Sequence, residues 1–181
     1  RGYQWLSFID KHNIGCLLGD EMGLGKTIQL IALLQDYADS NNPSLVICPA
    51  PLLENWHREI QKFAPYMKDL IHQGPNRAGA VDNILDKDVI ITSYETLVRD
   101  RYMFKMHKWN IVVLDEAQAI KNPRAIRTKA IKSIPRRSAI AATGTPVQNN
   151  LIDLWSITDF LLPGYLGKLD AFRKTYLMDI D

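Results

Sequence analysis

Two groups of residues have the types and spacing to do chemistry. The first is Gly19-Asp20-Glu21-Met22-Gly23-Leu24-Gly25-Lys26-Thr27, which follows the apolar run Ile14 to Leu18 and leads into Ile28 to Ala38. A glycine-rich turn between a strand and a helix lets successive backbone N–H groups point inward as a nest for phosphate oxygens. The N-terminus of the helix that follows adds the positive end of its dipole at the same place. In such a P-loop, Lys26 reaches the β- and γ-phosphates and the Thr27 hydroxyl is a magnesium ligand. The general pattern has glycine six residues before the lysine, where this chain has Asp20, with Gly19 one place earlier.

The second group is Asp115-Glu116, directly after Ile111-Val112-Val113-Leu114. A buried β-branched strand holds carboxylates rigidly at its tip, which is a Walker B arrangement. Asp115 can hold magnesium through its water shell opposite Thr27, and Glu116 can orient and deprotonate an attacking water. The plainer alternatives are that Gly and Asp only cap a helix, that Asp115 caps a turn, and that Glu116 is solvated.

These residues need elements to position them. Trp5 to Lys11 reads as the end of a helix with Trp5, Leu6, Phe8 and Ile9 as its apolar face. Ile14–Leu18 reads as a strand and Thr27–Tyr37 as a long helix. Leu45–Cys48 and Val89–Thr92 are apolar runs too short for helices and read as buried parallel strands. Pro51 can open a helix in which Leu52, Leu53, Trp56, Ile60 and Phe63 fall at helical spacing. Leu70–His72 reads as a short strand, Val81–Leu85 as a short helix and Tyr94–Val98 as a helical turn. Ile111–Leu114 is the most strand-like stretch. Pro123 would open a helix reaching Ile134, which Pro135 closes. Ala139–Ala142 is a last strand, ending at Thr143-Gly144-Thr145-Pro146, and residues 151 to 162 form an amphipathic helix. Strands alternating with helices give an open α/β fold, a mostly parallel sheet with helices on both faces. Ligands of such sheets sit at the carboxyl ends of the strands, where all three polar motifs fall.

The chain has 181 residues, of which 46% are hydrophobic and 23% charged, a composition that fits one globular domain. No apolar run approaches the roughly eighteen residues that span a bilayer, and no secretory signal opens the chain. It begins without methionine, as a fragment or excised domain would. The net charge of +2 does not argue for nucleic acid. From Lys121 to Arg137, however, the cations Lys121, Arg124, Arg127, Lys129, Lys132, Arg136 and Arg137 run without an acid. Such a run is more often a solvated helix face than a phosphate-contacting surface. Cys16 and Cys48 lie in predicted strands and read as small core residues of a reducing compartment. Trp5, Trp56, Trp109 and Trp155 read as core.

Taken together, these motifs resemble those of the SWI/SNF-related ATPases of helicase superfamily two, and of a bacterial or archaeal member in particular. Asp20 to Gln29 is similar to that family's P-loop, in which an acid at the Asp20 position is usual. Asp115-Glu116-Ala117-Gln118 resembles its motif II in the variant that ends in glutamine, and Ala119-Ile120-Lys121-Asn122 continues the likeness. Thr143 to Asn150, with Leu154-Trp155-Ser156 and Phe160 to Pro163, resembles motif III and its sequel. Val46 to Trp56 resembles motif Ia, and Ile90 to Glu95 the motif before the Walker B strand.

The resemblance implies that residues 1–181 are the first of two RecA-like lobes, a helicase-like ATP-binding lobe using ATP and Mg2+. It implies an engine that tracks double-stranded DNA by ATP hydrolysis and remodels protein–DNA complexes, acting on a DNA-bound protein. The second lobe and the adenine-reading motif would lie outside this chain. Asp20 through Thr27 would bind the nucleotide, with Lys26, Glu116 and Gln118 catalytic and Thr27 and Asp115 on the metal. Gln118 would sense the γ-phosphate, and Thr143, Gly144 and Thr145 would couple the site to lobe closure. Pro51, Asn55, Thr92 and Ser93 would face DNA phosphates. The location would be cytoplasmic and nucleoid-associated in a prokaryote, or nuclear in a eukaryote. Rival readings are a binding module without turnover, a small-substrate P-loop kinase and an RNA helicase. The last usually has Ser-Ala-Thr where this chain has Thr143-Gly144-Thr145.

Overall fold

Short aliphatic and β-branched runs become strands here because a sheet covered on both faces can bury every side chain they carry. The computed structural model describes residues 2–12, 14–19, 25–38, 42–144 and 151–177. The strands are β1 (Cys16–Leu18), β2 (Ser44–Cys48), β3 (Asp69–His72), β4 (Val89–Ser93), β5 (Trp109–Asp115) and β6 (Arg136–Ala142). They form one six-stranded sheet in the order β1-β6-β5-β2-β4-β3, and every pairing is parallel.

Alternation along the strands divides the core into two layers. Val46, Cys48, Ile111, Val113, Ile140 and Ala142 face one way. They are covered by α1 (Gly2–Lys11), α2 (Lys26–Asp36) and α3 (Leu53–Phe63). Leu45, Ile47, Val112, Leu114, Ala139 and Ala141 face the other way. There they meet α4 (Tyr94–Arg99), α5 (Arg101–Lys105), α6 (Ile126–Lys132) and α7 (Leu151–Leu161). A last helix, α8 (Leu169–Leu177), packs on α7. This is the open parallel α/β sheet expected from the strand–helix alternation, and the RecA-like architecture that the resemblance implies.

Several boundaries differ from the sequence expectation, each for a local reason. The Asn122 side chain accepts a hydrogen bond from the Arg124 amide at 3.0 Å. That turn delays α6 to Ile126, so Pro123 precedes the helix instead of opening it. Strand β6 starts at Arg136, directly after Pro135, because the Pro135 carbonyl accepts from the Trp109 amide at 3.0 Å and Trp109 pairs with Arg136. Residues 81 to 85 give only a single 3-10 turn, Val81–Asn83. In α1, Leu6 is buried, whereas Trp5 and Phe8 are 47% and 60% exposed. One helix face cannot turn four closely spaced apolar residues inward at 3.6 residues per turn, and Asp10 takes part of that face to pair with Arg137 at 2.9 Å. Gly15 marks where α7 closes on β1, since a Cβ there would lie 2.2 Å from the Leu161 carbonyl oxygen.

The register sets three loops side by side. Leu18 pairs with Ala142 and Asp115 also pairs with Ala142, while the Thr143 amide donates to the Leu18 carbonyl at 3.0 Å. Gly19, Glu116 and Thr143, the residues after Leu18, Asp115 and Ala142, therefore leave the sheet at one level.

A polar cluster fixes the other half of that edge. Asp100 accepts from Arg77 Nη2 at 2.9 Å and from Nε2 of the fully buried His72 at 2.8 Å. An ionised carboxylate only accepts, so the imidazole Nε2–H is the donor. The Arg77 guanidinium, helped by His72, holds the Asp100 carboxyl below the usual carboxylate range. A lowered carboxyl contributes stability that is present at neutral pH and is lost as pH falls through the lowered value. Asp100→Ala leaves both donors without their acceptor. It should cost about 2 kcal/mol in urea unfolding at pH 7, and the difference from the parent chain should shrink on acidification below the carboxylate range.

Candidate active site

Helix α2 begins at Lys26 with Gly25 as the residue before it, at φ 78° and ψ 28°. That left-handed conformation strains any residue with a Cβ, even though open space surrounds the position. Among the described residues no side chain caps this helix start, and the start of α2 borders an open cleft. The cleft holds about 380 Å³. Its walls are Gly25 to Ile28 from the start of α2, Leu52 just before α3, Asn55 and Glu59 from α3, and Asp115 with Glu116 from the tip of β5. Among the described residues lining it, Lys26 is the one cation.

Asp115 is held at every polar atom it presents. Its Oδ2 accepts from the Trp56 indole Nε1 at 2.9 Å, its Oδ1 from the Glu116 amide at 3.0 Å, and its carbonyl from the Tyr94 hydroxyl at 2.8 Å. Burial pushes the Asp115 carboxyl up, the Trp56 bond pulls it down, and the neighbouring Glu116 charge raises it. The same burial pushes the Cys48 thiol beneath it to about 12, with Asp115 adding to the rise. A thiol so raised stays protonated at neutral pH, as a core residue should.

Glu116 has φ 54° and ψ 54°, the one left-handed residue other than glycine among those described. Such a conformation costs of order 1 kcal/mol and gathers at functional sites. It turns the chain from β5 into the 3-10 turn Ala117–Ile120 and presents the carboxylate to the cleft. Gln118 on that turn donates its amide to Glu116 Oε2 at 2.8 Å. The amide oxygen of Gln118 accepts from the buried Thr143 hydroxyl, also at 2.8 Å. A continuous hydrogen-bonded path thus runs from the acid at the cleft to the end of β6.

Not every expected site residue lands in the cleft. Gly25, Lys26, Thr27, Asp115 and Glu116 do, and Gln118 and Thr143 stand directly behind them. Asp20, Glu21, Met22, Gly23, Leu24 and Thr145 lie outside the described residues. Gly144 follows Thr143 at the end of β6 and is partly exposed. Pro51 is exposed at the surface, whereas Asn55, expected to face DNA, lines the nucleotide-sized cleft.

Thr92 and Ser93 are buried, and their hydroxyls are used inside the fold. Thr92 donates to the His72 carbonyl at 2.9 Å. Ser93 caps α4 by accepting from the Thr96 amide at 3.1 Å. Gln73 accepts from Ser93 and Thr96, which pins the loop after β3. The roles of these hydroxyls in this geometry are internal. The basic segment is also mostly internal. Arg127 pairs with Glu95 at 2.7 Å, Lys132 with Asp159 at 2.8 Å and Arg137 with Asp10, while Arg136 donates to the carbonyls of Lys132, Ile134 and Phe160. Lys121, Arg124 and Lys129 remain exposed.

Residues 1–181 match the model of the SNF2-related domain over the whole chain. The chain belongs to the SNF2-related family. Its backbone superposes on the Sulfolobus solfataricus SWI2/SNF2 ATPase core in complex with dsDNA with a TM-score of 0.85 and 42% identity, covering 96% of this chain and 36% of that one. It is 41% identical to YwqA of Bacillus subtilis, a protein named for an ATP-dependent helicase/translocase, over 99% of this chain and 20% of that protein. It is also 36% identical to the TATA-binding protein-associated factor mot1 of Schizosaccharomyces pombe, over 99% of this chain and 10% of the factor. The chain thus spans a fifth or less of these two relatives' length. Among the described residues no helix is long and apolar enough to cross a membrane.

The cleft's donors fit a magnesium–nucleotide complex. Carboxylate and hydroxyl oxygens are what Mg2+ prefers, and it takes few protein ligands because phosphates and waters supply the rest. No cluster of three or more His, Cys, Asp or Glu able to hold a metal by itself occurs among the described residues. Residues missed by the sequence reading are Trp56 and Tyr94, which hold Asp115, and Glu59, a further acid in the cleft wall. Thr143→Val keeps the shape at the end of β6 and removes the donor to Gln118. In a protein that joins this domain to a second RecA-like lobe, ATP affinity should change less than threefold while the hydrolysis rate falls about tenfold or more. Equal loss of both in nucleotide-titration and turnover assays would mean that the path only supports the fold.

Proposed function

We propose that this lobe binds and hydrolyses ATP with Mg2+ as half of a motor that moves along double-stranded DNA and displaces proteins bound to it. The observation that carries the reading is the convergence of the α2 start, Asp115-Glu116 and the Gln118–Thr143 path on one edge of the sheet. It is supported by the likeness to an ATPase core solved with dsDNA and to a factor associated with the TATA-binding protein.

Each residue's task follows from its chemistry. The α2 amides and the Lys26 ammonium receive the phosphate oxygens. Thr27 and Asp115 would hold Mg2+, which when bound neutralises charge on the phosphates. Glu116 takes the proton from a water as that water's oxygen bonds to the γ-phosphorus and the bond to ADP breaks. Gln118, between Glu116 and Thr143, registers whether a γ-phosphate fills the cleft. Phosphoryl transfer commonly needs a further cation from across a cleft, and among the described residues Lys26 is the one cation lining this wall. The second RecA-like lobe would supply it. That also favours the alternative in which the isolated lobe binds nucleotide without turning it over.

Two substitutions separate the roles in the longer protein. Lys26→Ala should abolish ATP turnover, and turnover at the parent rate would remove the P-loop assignment. Glu116→Gln should leave ATP bound and lower hydrolysis by about 10²-fold to 10⁴-fold. A loss of binding with Glu116→Gln would instead place that carboxylate in recognition.

A further inference from the structure

A buried indole has one N–H and no acceptor, so it must find an oxygen inside the protein. The buried indoles of this lobe solve that problem in two ways. Trp109 donates to the Phe104 carbonyl at 2.9 Å, and Trp155 to the Gly167 carbonyl at 3.2 Å. Both partners are backbone oxygens, as expected of tryptophans that only fill a core. Trp56 is just as buried, 1% exposed, yet its partner is a carboxylate oxygen, Asp115 Oδ2 at 2.9 Å. That carboxylate opens onto the nucleotide-sized cleft.

The geometry of Asp115 makes this bond decisive for its aim. Its Oδ1 is bonded to the next residue's own amide, a contact that moves with the strand tip. The Tyr94 hydroxyl holds the backbone carbonyl and leaves the side chain free to rotate. Trp56 hydrogen-bonds the carboxylate from another element, while Lys26 of α2 also acts on it through its charge. Helix α3 contributes the cleft wall at Asn55 and Glu59 as well, so the same helix shapes the cavity and orients the acid within it. With water excluded around the indole, a rotated carboxylate would leave the N–H unpaired, which penalises every other rotamer.

We propose that Trp56 is a positioning residue for Asp115, fixing through its indole N–H the carboxylate orientation that receives Mg2+. The inference rests on the assignment of a magnesium–nucleotide complex to this cleft. Trp56 touches neither nucleotide nor metal and acts through Asp115. Partners of this kind, one bond behind a metal ligand, commonly change metal affinity by ten- to a hundredfold when removed.

The test uses a protein that joins this domain to a second RecA-like lobe and a fluorescent ATP analogue titrated with saturating Mg2+ and, separately, with EDTA. Trp56→Phe keeps most of the ring and loses the donor. Trp109→Phe loses a buried indole donor whose partner is a backbone carbonyl, so it reports what core damage alone does. Trp56→Phe should raise the Mg2+ concentration for half-maximal analogue binding about tenfold and leave affinity in EDTA unchanged, whereas Trp109→Phe should leave the Mg2+ requirement at the parent value. A Trp56→Phe protein with the parent's Mg2+ dependence overturns the inference, as does equal weakening with and without Mg2+. If the parent protein itself binds the analogue no better with Mg2+ than with EDTA, the magnesium–nucleotide assignment fails first. A circular dichroism melt of each variant identifies any protein that has not folded, and for such a protein Trp56→Tyr replaces Phe in the same titration.

Discussion

A carboxylate at the end of a strand buried on both faces has lost most of its water and must be compensated by donors placed around it. That condition applies to Asp115, and much of the lobe is arranged to meet it. Strand β5 carries it between β6 and β2. The helix after β2 brings an indole N–H to one oxygen, and the helix after β4 brings a phenol to the carbonyl. Burial still wins over these donors, since the carboxyl stays above its ordinary range. A cation bound beside the carboxylate would favour its charged form.

The same edge of the sheet concentrates the features a merely stable domain would avoid. Gly25 and Glu116 take left-handed backbone angles, and among the described residues no side chain caps the start of α2. Below this edge the structure is conventional: two apolar layers divided by strict alternation along parallel strands. Backbone strain lies where ligand would meet it, and close packing elsewhere carries its cost. The path from Glu116 through Gln118 to Thr143 belongs to this economy. It joins two strand ends with side chains that a purely structural edge would leave to water.

The sheet was legible because short aliphatic runs with no helical period have few other folds available. The strand tips were legible because polar motifs directly follow those runs. What could not be read was lateral order. Nothing in the sequence states that β2 lies beside β5, yet that neighbour relation carries Trp56 from an apolar helical stripe to the Asp115 carboxylate. The same lateral order also brings Asn55 to the cleft wall. Thr92 and Ser93 looked available because both are polar and follow a strand. A serine three residues before Thr96 at a helix start is equally an N-cap signal, and that reading describes Ser93. The cations after Lys121 could not be sorted from sequence either, because their partners Glu95, Asp159 and Asp10 come from distant segments.

The central claim is that this lobe supplies the phosphate-binding and water-activating half of a DNA-stimulated ATPase. Its most direct test is steady-state ATP hydrolysis by the longer protein, with and without double-stranded DNA, beside residues 1–181 alone. The account predicts turnover by the longer protein that rises when DNA is added, and little or none by the isolated lobe. A longer protein that binds ATP yet stays inert with both DNA and RNA would contradict it.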